Sequence, residues 1–248
     1  MAMATPPSNS PSALGARKLP RDIEPVFIAD ADYLARTVDS PASESGPLFR
    51  LMFPRPGVEF SEQQKDEIIR WHAEGIKDAI TGGRTYLRKI RHSDGTVVGL
   101  AGWVIEGCPE EQANLNRNRT AIKAKVGNKQ KSNYWLPGTL DVSAWLKMSA
   151  ALKKERHRTI GHLDNICRIT IMSIRPEYQR QGLGSLLMQH ICEDMDRHGR
   201  YGYVLASPAG VRLYSKFGFE AVGQRSRQVS PYSRRWRYGP KDGRRIGG

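Results

Sequence analysis

The apolar positions of this chain change period several times, and each change marks an element. Residues Ile166–Ile174 alternate and are rich in β-branched side chains, the pattern of a strand, which Arg175-Pro176 stops. Beyond Gly182 the period lengthens. Leu187, Met188, Ile191, Cys192 and Met195 form one helical face, and Gly199 closes the helix. Residues 203–206 predict a further strand. Ser207-Pro208 predicts a cap with proline in the first turn of a short helix running to about Lys216, and Phe217-Gly218-Phe219 leads into a last strand ending near Gly223. Upstream, Ser61 with Gln64 three residues on has the form of a capping box, and Ile68, Ile69, Trp71, Ile76 and Ile80 carry a helix to Gly82-Gly83. Residues 85–91 and 96–105 predict two strands joined through Asp94-Gly95, a hairpin signal. Residues 25–28 predict a short strand, followed by an amphipathic segment over 30–38 with Asp30 or Asp32 as its cap. From Asp141 the positions Val142, Trp145, Leu146, Met148 and Leu152 predict another helix, ending in basic residues that suit its negative pole.

A chain of 248 residues with this pattern is long enough for one sizeable domain. No apolar run approaches the length of a membrane span, and the Pro/Ser-rich N-terminus lacks the apolar stretch of a secretory signal. The expected organisation is a disordered tail over 1–24, a domain over 25–224 with a basic insertion at about 107–160, and a basic C-terminal tail over 225–248. The expected location is the cytoplasm or nucleus. Cys108, Cys167 and Cys192 are too widely spaced for a disulfide framework or a metal knuckle, so no metal is expected. The net charge of +14 is concentrated: 107–160 holds 11 Lys/Arg against 4 Asp/Glu, and 224–248 holds 8 against 1. The second segment interleaves arginine with aromatics (Arg234, Arg235, Trp236, Arg237, Tyr238), a composition that suits nucleic acid. With no accompanying nucleic-acid module, a solvated tail is the favoured reading and nucleic acid the less favoured partner.

The chemistry is carried by a strand, a glycine turn and a helix: residues 171–174, then Gln179-Arg180-Gln181-Gly182-Leu183-Gly184, then Ser185 onward. Glycines at a helix start let backbone N–H groups converge on an anion, and the helix dipole favours negative charge there. A Walker loop is excluded because the chain has no Gly-Lys-Ser/Thr, and a dinucleotide fingerprint because Leu187 stands at its third glycine. The turn resembles the signature Q/R-x-x-G-x-G/A of the GNAT superfamily of acyl-CoA N-acyltransferases, with Gln179, Gly182 and Gly184 in place. A second block resembling the family follows, from Leu205-Ala206-Ser207-Pro208-Ala209-Gly210 to Leu213-Tyr214-Ser215-Lys216-Phe217-Gly218-Phe219. Together the blocks span 166–223. The stretch Pro47-Leu48-Phe49-Arg50-Leu51-Met52-Phe53-Pro54 is similar to fungal members.

The resemblance implies an α/β fold: a mixed, mostly antiparallel twisted sheet, helices on both faces, splayed at the cofactor strand. It implies an N-acetyltransferase that moves an acetyl group from acetyl-CoA to an amine by direct attack. Backbone groups of Met172 and Ile174 would pair with the pantetheine arm, and N–H groups from Arg180 through Gln181, Gly182, Leu183 and Gly184 to Ser185 would hold the pyrophosphate. Ser207 stands where the family often has a pantetheine-contacting Asn, and Tyr214 matches the tyrosine that protonates the departing thiolate. Some members carry a base carboxylate at the position of Arg168, which cannot serve as one. Asp164 is the substitute expected here, with His162 and Glu106 as alternatives and a turn-forming role as the other reading of Asp164. A non-catalytic acyl-CoA-binding protein that recruits an acidic partner through the basic segments is the alternative function.

Overall fold

The computed structural model describes residues 23–55, 59–108, 135–223 and 234–238. Seven strands form one sheet in the order β1-β2-β3-β4-β5-β7-β6: β1 Ile23–Pro25, β2 Thr85–Arg91, β3 Val97–Glu106, β4 Ile166–Ile174, β5 Tyr201–Ala206, β6 Glu220–Gly223 and β7 Arg234–Tyr238. All neighbours are antiparallel except β4 and β5. The β2–β3 hairpin turns where Asp94-Gly95 predicts it. Gly95 has φ +86, and the Asp94 carboxylate accepts from the Thr96 N–H at 2.8 Å.

Helices cover both faces. On one lie α1 (Ala31–Leu34), a π-helical turn over Ala35–Asp39, α2 (Ser40–Ser43) and α4 (Glu62–Thr81), whose Leu34, Val38, Ala73 and Ile76 bury against Leu87 and Leu100. The Ser61–Gln64 capping box is formed in both directions, which fixes where α4 begins. On the opposite face α6 (Leu183–Arg197) sinks Leu187, Met188, Ile191 and Met195 between Ala101, Ile169 and Val204, with α7 (Val211–Lys216) beside it. Each such aliphatic side chain stabilises the fold by about 1.5–3 kcal/mol. A third cluster joins α3 (Pro47–Met52), α4 and α5 (Val142–Ile160) through Phe49, Phe53, Trp71 and Trp145. Asp141 caps α5 by accepting from the Ala144 N–H at 2.8 Å.

Two expectations change and a third is sharpened. Ile23 and Glu24, expected in the N-terminal tail, pair with Ile90 and Lys89, so they open the sheet. Part of the expected basic insertion is a docked helix, α5, while residues 109–134 lie outside the described residues. The basic C-terminal segment is not wholly a tail. Strand β7 inserts between β5 and β6, pairing Trp236 with both Val204 and Ala221. Residues 1–22, 224–233 and 239–248, which hold the rest of the expected tails, lie outside the described residues.

Candidate functional site

The site begins with a fault in β4. Gly102 and Trp103 are adjacent on β3 but pair with Ile171 and Ile169, so Thr170 is an extra residue bulged out of the ladder. The bulge reverses which side chains face which way. Cys167 and Ile169 before it, and Met172 and Ile174 after it, all turn to the α6 core, while Ile171 joins the α1/α4 core. The parallel pairing of β4 with β5 stops at the same place, at Ile169 opposite Val204. Residues 170–174 therefore have no β5 partner, and one edge of β4 stands open beside Met172 and Ile174. This is the splay expected of the cofactor strand.

At the end of that edge the chain turns through Arg175 and enters α6. The Gln179 side-chain amide donates to the Ile174 carbonyl at 3.0 Å, tying the turn to the strand. Arg180 and Gly182 both have left-handed backbone, φ 65 and φ 88, and Gly182 is the N-cap of α6. A side chain at Gly182 meets no neighbour, so the demand for glycine there comes from the backbone angle. The N–H groups of residues 180–184 make no backbone hydrogen bond among the described residues. The Ser185 N–H donates to the Gly182 carbonyl at 2.9 Å. The free donors among the described residues are therefore those of Arg180 to Gly184, and the Ser185 N–H, expected among them, is not one. Unpaired N–H groups at a helix N-terminus make an anion site, and this one is lined up along the open strand edge.

The turn and the strand edge form one wall of a cleft of about 490 Å³, whose other wall is Ser207, Ala209, Leu213 and Tyr214. Ser207 does not cap α7, which starts at Val211. Its hydroxyl and carbonyl both accept from the Gly210 N–H, at 3.3 and 2.9 Å, and so shape the turn before that helix. Tyr214 is buried against Phe219, with ring centres 5.8 Å apart, and burial pushes its phenol above the ordinary value. The cleft thus brings together Met172, Ile174, Gln179, Arg180, Gly182, Leu183, Gly184, Ser185, Ser207 and Tyr214. Gln181 stands outside its walls, its side chain donating to the Glu177 carbonyl at 3.3 Å.

Asp164 is not brought there. It lies in the turn before β4, eight residues along the chain from Met172, which in an extended strand is roughly 26 Å. The reading of Asp164 as the base gives way to its turn-forming role. Glu106 lies at that same end of β4 and is occupied by Arg168, whose guanidinium donates to it at 2.8 Å.

Sequence reasoning missed a polar cluster on the other side of the open strand. His72 Nδ1 lies 2.7 Å from Asp39 Oδ2, and the Ser173 hydroxyl donates to Asp39 Oδ1 at 2.7 Å. Burial pushes the Asp39 carboxyl up, but the bond and charge of His72, with the Ser173 bond, outweigh it and hold the group below its ordinary value. Asp39 and His72 stand 33 residues apart, and Asp39 and Ser173 134 apart, with no local motif among them. The one sequence signal was a histidine inside an otherwise regular amphipathic helix. Among the described residues no group of His, Cys, Asp and Glu could hold a metal ion.

Comparison with known proteins agrees with this geometry. Residues 149–221, which span β4, the turn, α6, β5 and α7, match the family model described as the acetyltransferase (GNAT) domain. A Corynebacterium glutamicum structure described as histone acetyltransferase HPA2 and related acetyltransferase superposes with a TM-score of 0.53 at 14% identity, covering 88% of this chain and 96% of that one. A Drosophila melanogaster polyamine N-acetyltransferase is similar at 12% identity and a TM-score of 0.48, covering 88% and 98%. A Thermoplasma acidophilum PaiA N-acetyltransferase, solved in complex with coenzyme A, is similar at 13% identity and a TM-score of 0.46, also covering 88% and 98%. No curated protein matches the sequence. Over residues 149–221 the chain is thus similar to the acetyltransferase (GNAT) domain, and its fold is that of the Corynebacterium glutamicum structure.

Proposed function

We propose that this protein moves an acetyl group from acetyl-CoA to an amine, with the cosubstrate lying along the open edge of β4. The observation that carries this reading is the continuity of the unpaired strand edge at residues 170–174 with the free N–H groups of residues 180–184 in one cleft. The edge suits the amide-bearing pantetheine arm, which would add to it as a strand would. The N–H groups and the helix pole suit a pyrophosphate.

Tyr214 is a proton-bearing group in the same cleft. Because burial raises its pKa, it holds its proton through the working range and donates a hydrogen bond to sulfur as charge develops there. Complete transfer is uphill, since an ordinary thiol titrates near about 8.5, below such a phenol. Tyr214 therefore acts by steadying the leaving thiolate more than by delivering a free proton. The test is release of free thiol from acetyl-CoA across a panel of primary amines. Amine-dependent release supports acetyl transfer. Binding of acetyl-CoA without release for any amine points instead to an acyl-CoA-binding protein that does not turn over.

A further inference from the structure

His72 stands where two cavities meet. One, of about 430 Å³, shares Met172, Gln179 and Ser207 with the cofactor cleft. The other, of about 520 Å³, has His72 and Met52 in common with the first and is walled by Trp71, Trp135 and Trp145, with Glu74 and Asp78 on the α4 side. His72 therefore lines both the cavity beside the strand edge and the aromatic pocket.

Two irregular elements set the histidine there. The π-helical turn Ala35–Asp39 ends on Asp39, and the Thr170 bulge puts Ser173 on the face toward it. Both Asp39 oxygens are thereby held, one by Ser173 and one by His72. A carboxylate only accepts, so Nδ1 carries the proton of neutral His72 and Nε2 carries the lone pair. The neighbour of Nε2 is the Ser43 hydroxyl at 3.4 Å, whose single proton is engaged by the Ser40 carbonyl at 2.9 Å. Nε2 keeps its lone pair, beside both cavities. This is the arrangement of a base whose tautomer is fixed by a third group.

The aromatic pocket suits an organic cation with an apolar body. Trp71 and Trp145 meet edge to face with centres 6.4 Å apart, and the Trp135 ring already carries a cation, the Arg70 guanidinium 4.4 Å from its centre. Glu74 is bridged to Lys77 at 3.3 Å. Burial and the nearby Glu74 push the Asp78 carboxyl up, a strain that an arriving positive charge relieves. The charged groups that His72 faces in this space are Asp39 from the π-helical turn and Arg70, Glu74 and Asp78 from its own helix.

We infer that this pocket is the acceptor subsite, that it takes a primary alkylammonium on an apolar body, and that His72, positioned by Asp39, is the general base. The inference rests on the acetyl-transfer reading above. His72 Nε2 takes one proton from the ammonium, and the freed nitrogen pair attacks the thioester carbonyl carbon. As the adduct collapses the C–S bond breaks with its pair on sulfur. The second proton lost by nitrogen balances the one gained by the thiolate, and His72 returns its own to solvent.

The experiment measures turnover of 2-phenylethylamine, ethylamine and β-alanine at saturating acetyl-CoA, together with quenching of tryptophan fluorescence by 2-phenylethylamine. Expected is a kcat/KM at least about tenfold higher for 2-phenylethylamine than for ethylamine, with β-alanine poorest because its carboxylate meets Glu74 and Asp78. His72→Gln should lower kcat by about 10² to 10⁴ while leaving acetyl-CoA affinity and quenching in place. It should also move the acid limb of kcat toward the amine's own pKa, about 10, because the proton then leaves to solvent alone. Asp39→Asn should shift the limb without abolishing turnover, as befits a positioning residue. An unchanged pH profile in His72→Gln, or no preference among the amines, overturns the proposal. So does an absence of quenching in the wild type. Quenching without turnover of any amine overturns acetyl transfer, and with it the role of His72 as base.

Discussion

The phenol of Tyr214 and the carboxyl of Asp39 depart from their ordinary pKa values in ways that predict different experiments. Tyr214→Phe keeps the ring against Phe219 and removes only the hydroxyl, so folding and acetyl-CoA affinity should change little. Its kcat should fall by a factor near the lower end of the range of about 10² to 10⁴ for proton-donating groups, because a thiolate leaves readily. Collapse of acetyl-CoA binding along with turnover would make the hydroxyl a binding contact instead. For Asp39 the readout is stability. Its folded pKa is depressed, so its contribution is present above the usual carboxylate range and is lost as pH falls through the folded value. Asp39→Asn should therefore cost about 1–3 kcal/mol near pH 6 and less near pH 3, measured by urea unfolding at both. An equal cost at both would remove the charged form from the account.

At the scale of elements, β7 is the strand whose loss is most informative. It is hydrogen-bonded on both sides, to β5 and to β6, so proline at Trp236 removes a ladder donor from the interior of the sheet. Trp236→Pro, or removal of 225–248, should lower the melting temperature by several degrees or give aggregated protein, followed by circular dichroism and gel filtration. A melting temperature within a degree of the wild type would mean that the sheet is complete without β7. This strand was not legible in the sequence, because arginine interleaved with aromatics in a basic segment also has the composition of a solvated or nucleic-acid-binding tail. The strands and helices with a clear period were legible: β2 and β4 to the residue, α4 by its capping box, α5 by Asp141. Within β4 the alternation concealed Thr170. A bulge leaves no mark on composition, and its consequence appears only when β3 is laid beside it.

Across the whole molecule the two halves of the site differ in how far apart their parts lie. The cosubstrate half is local, a strand, a turn and two short helices over about fifty residues, so the glycine spacing exposes Gly182 and Gly184, and the resemblance of the second block to the GNAT family points to Tyr214. The acceptor half joins a π-helical turn, a long helix and a strand, and only the fold places Asp39, His72 and Ser173 together. That division explains why the residues beside β4 in sequence, Asp164 among them, offer no clear base. The central claim is that the Gly182 turn receives the pyrophosphate of acetyl-CoA, and calorimetric titration tests it most directly. Wild type, Gly182→Asn and Gly182→Asp would be compared, since Asn and Asp are alike in size and both tolerate the left-handed backbone at φ 88. Expected is one molecule of acetyl-CoA bound per chain, weakened in Gly182→Asn and weakened at least about tenfold further in Gly182→Asp, because a carboxylate then faces the phosphates. Equal affinity in the two variants would show that no anion rests on this turn and that the pyrophosphate lies elsewhere.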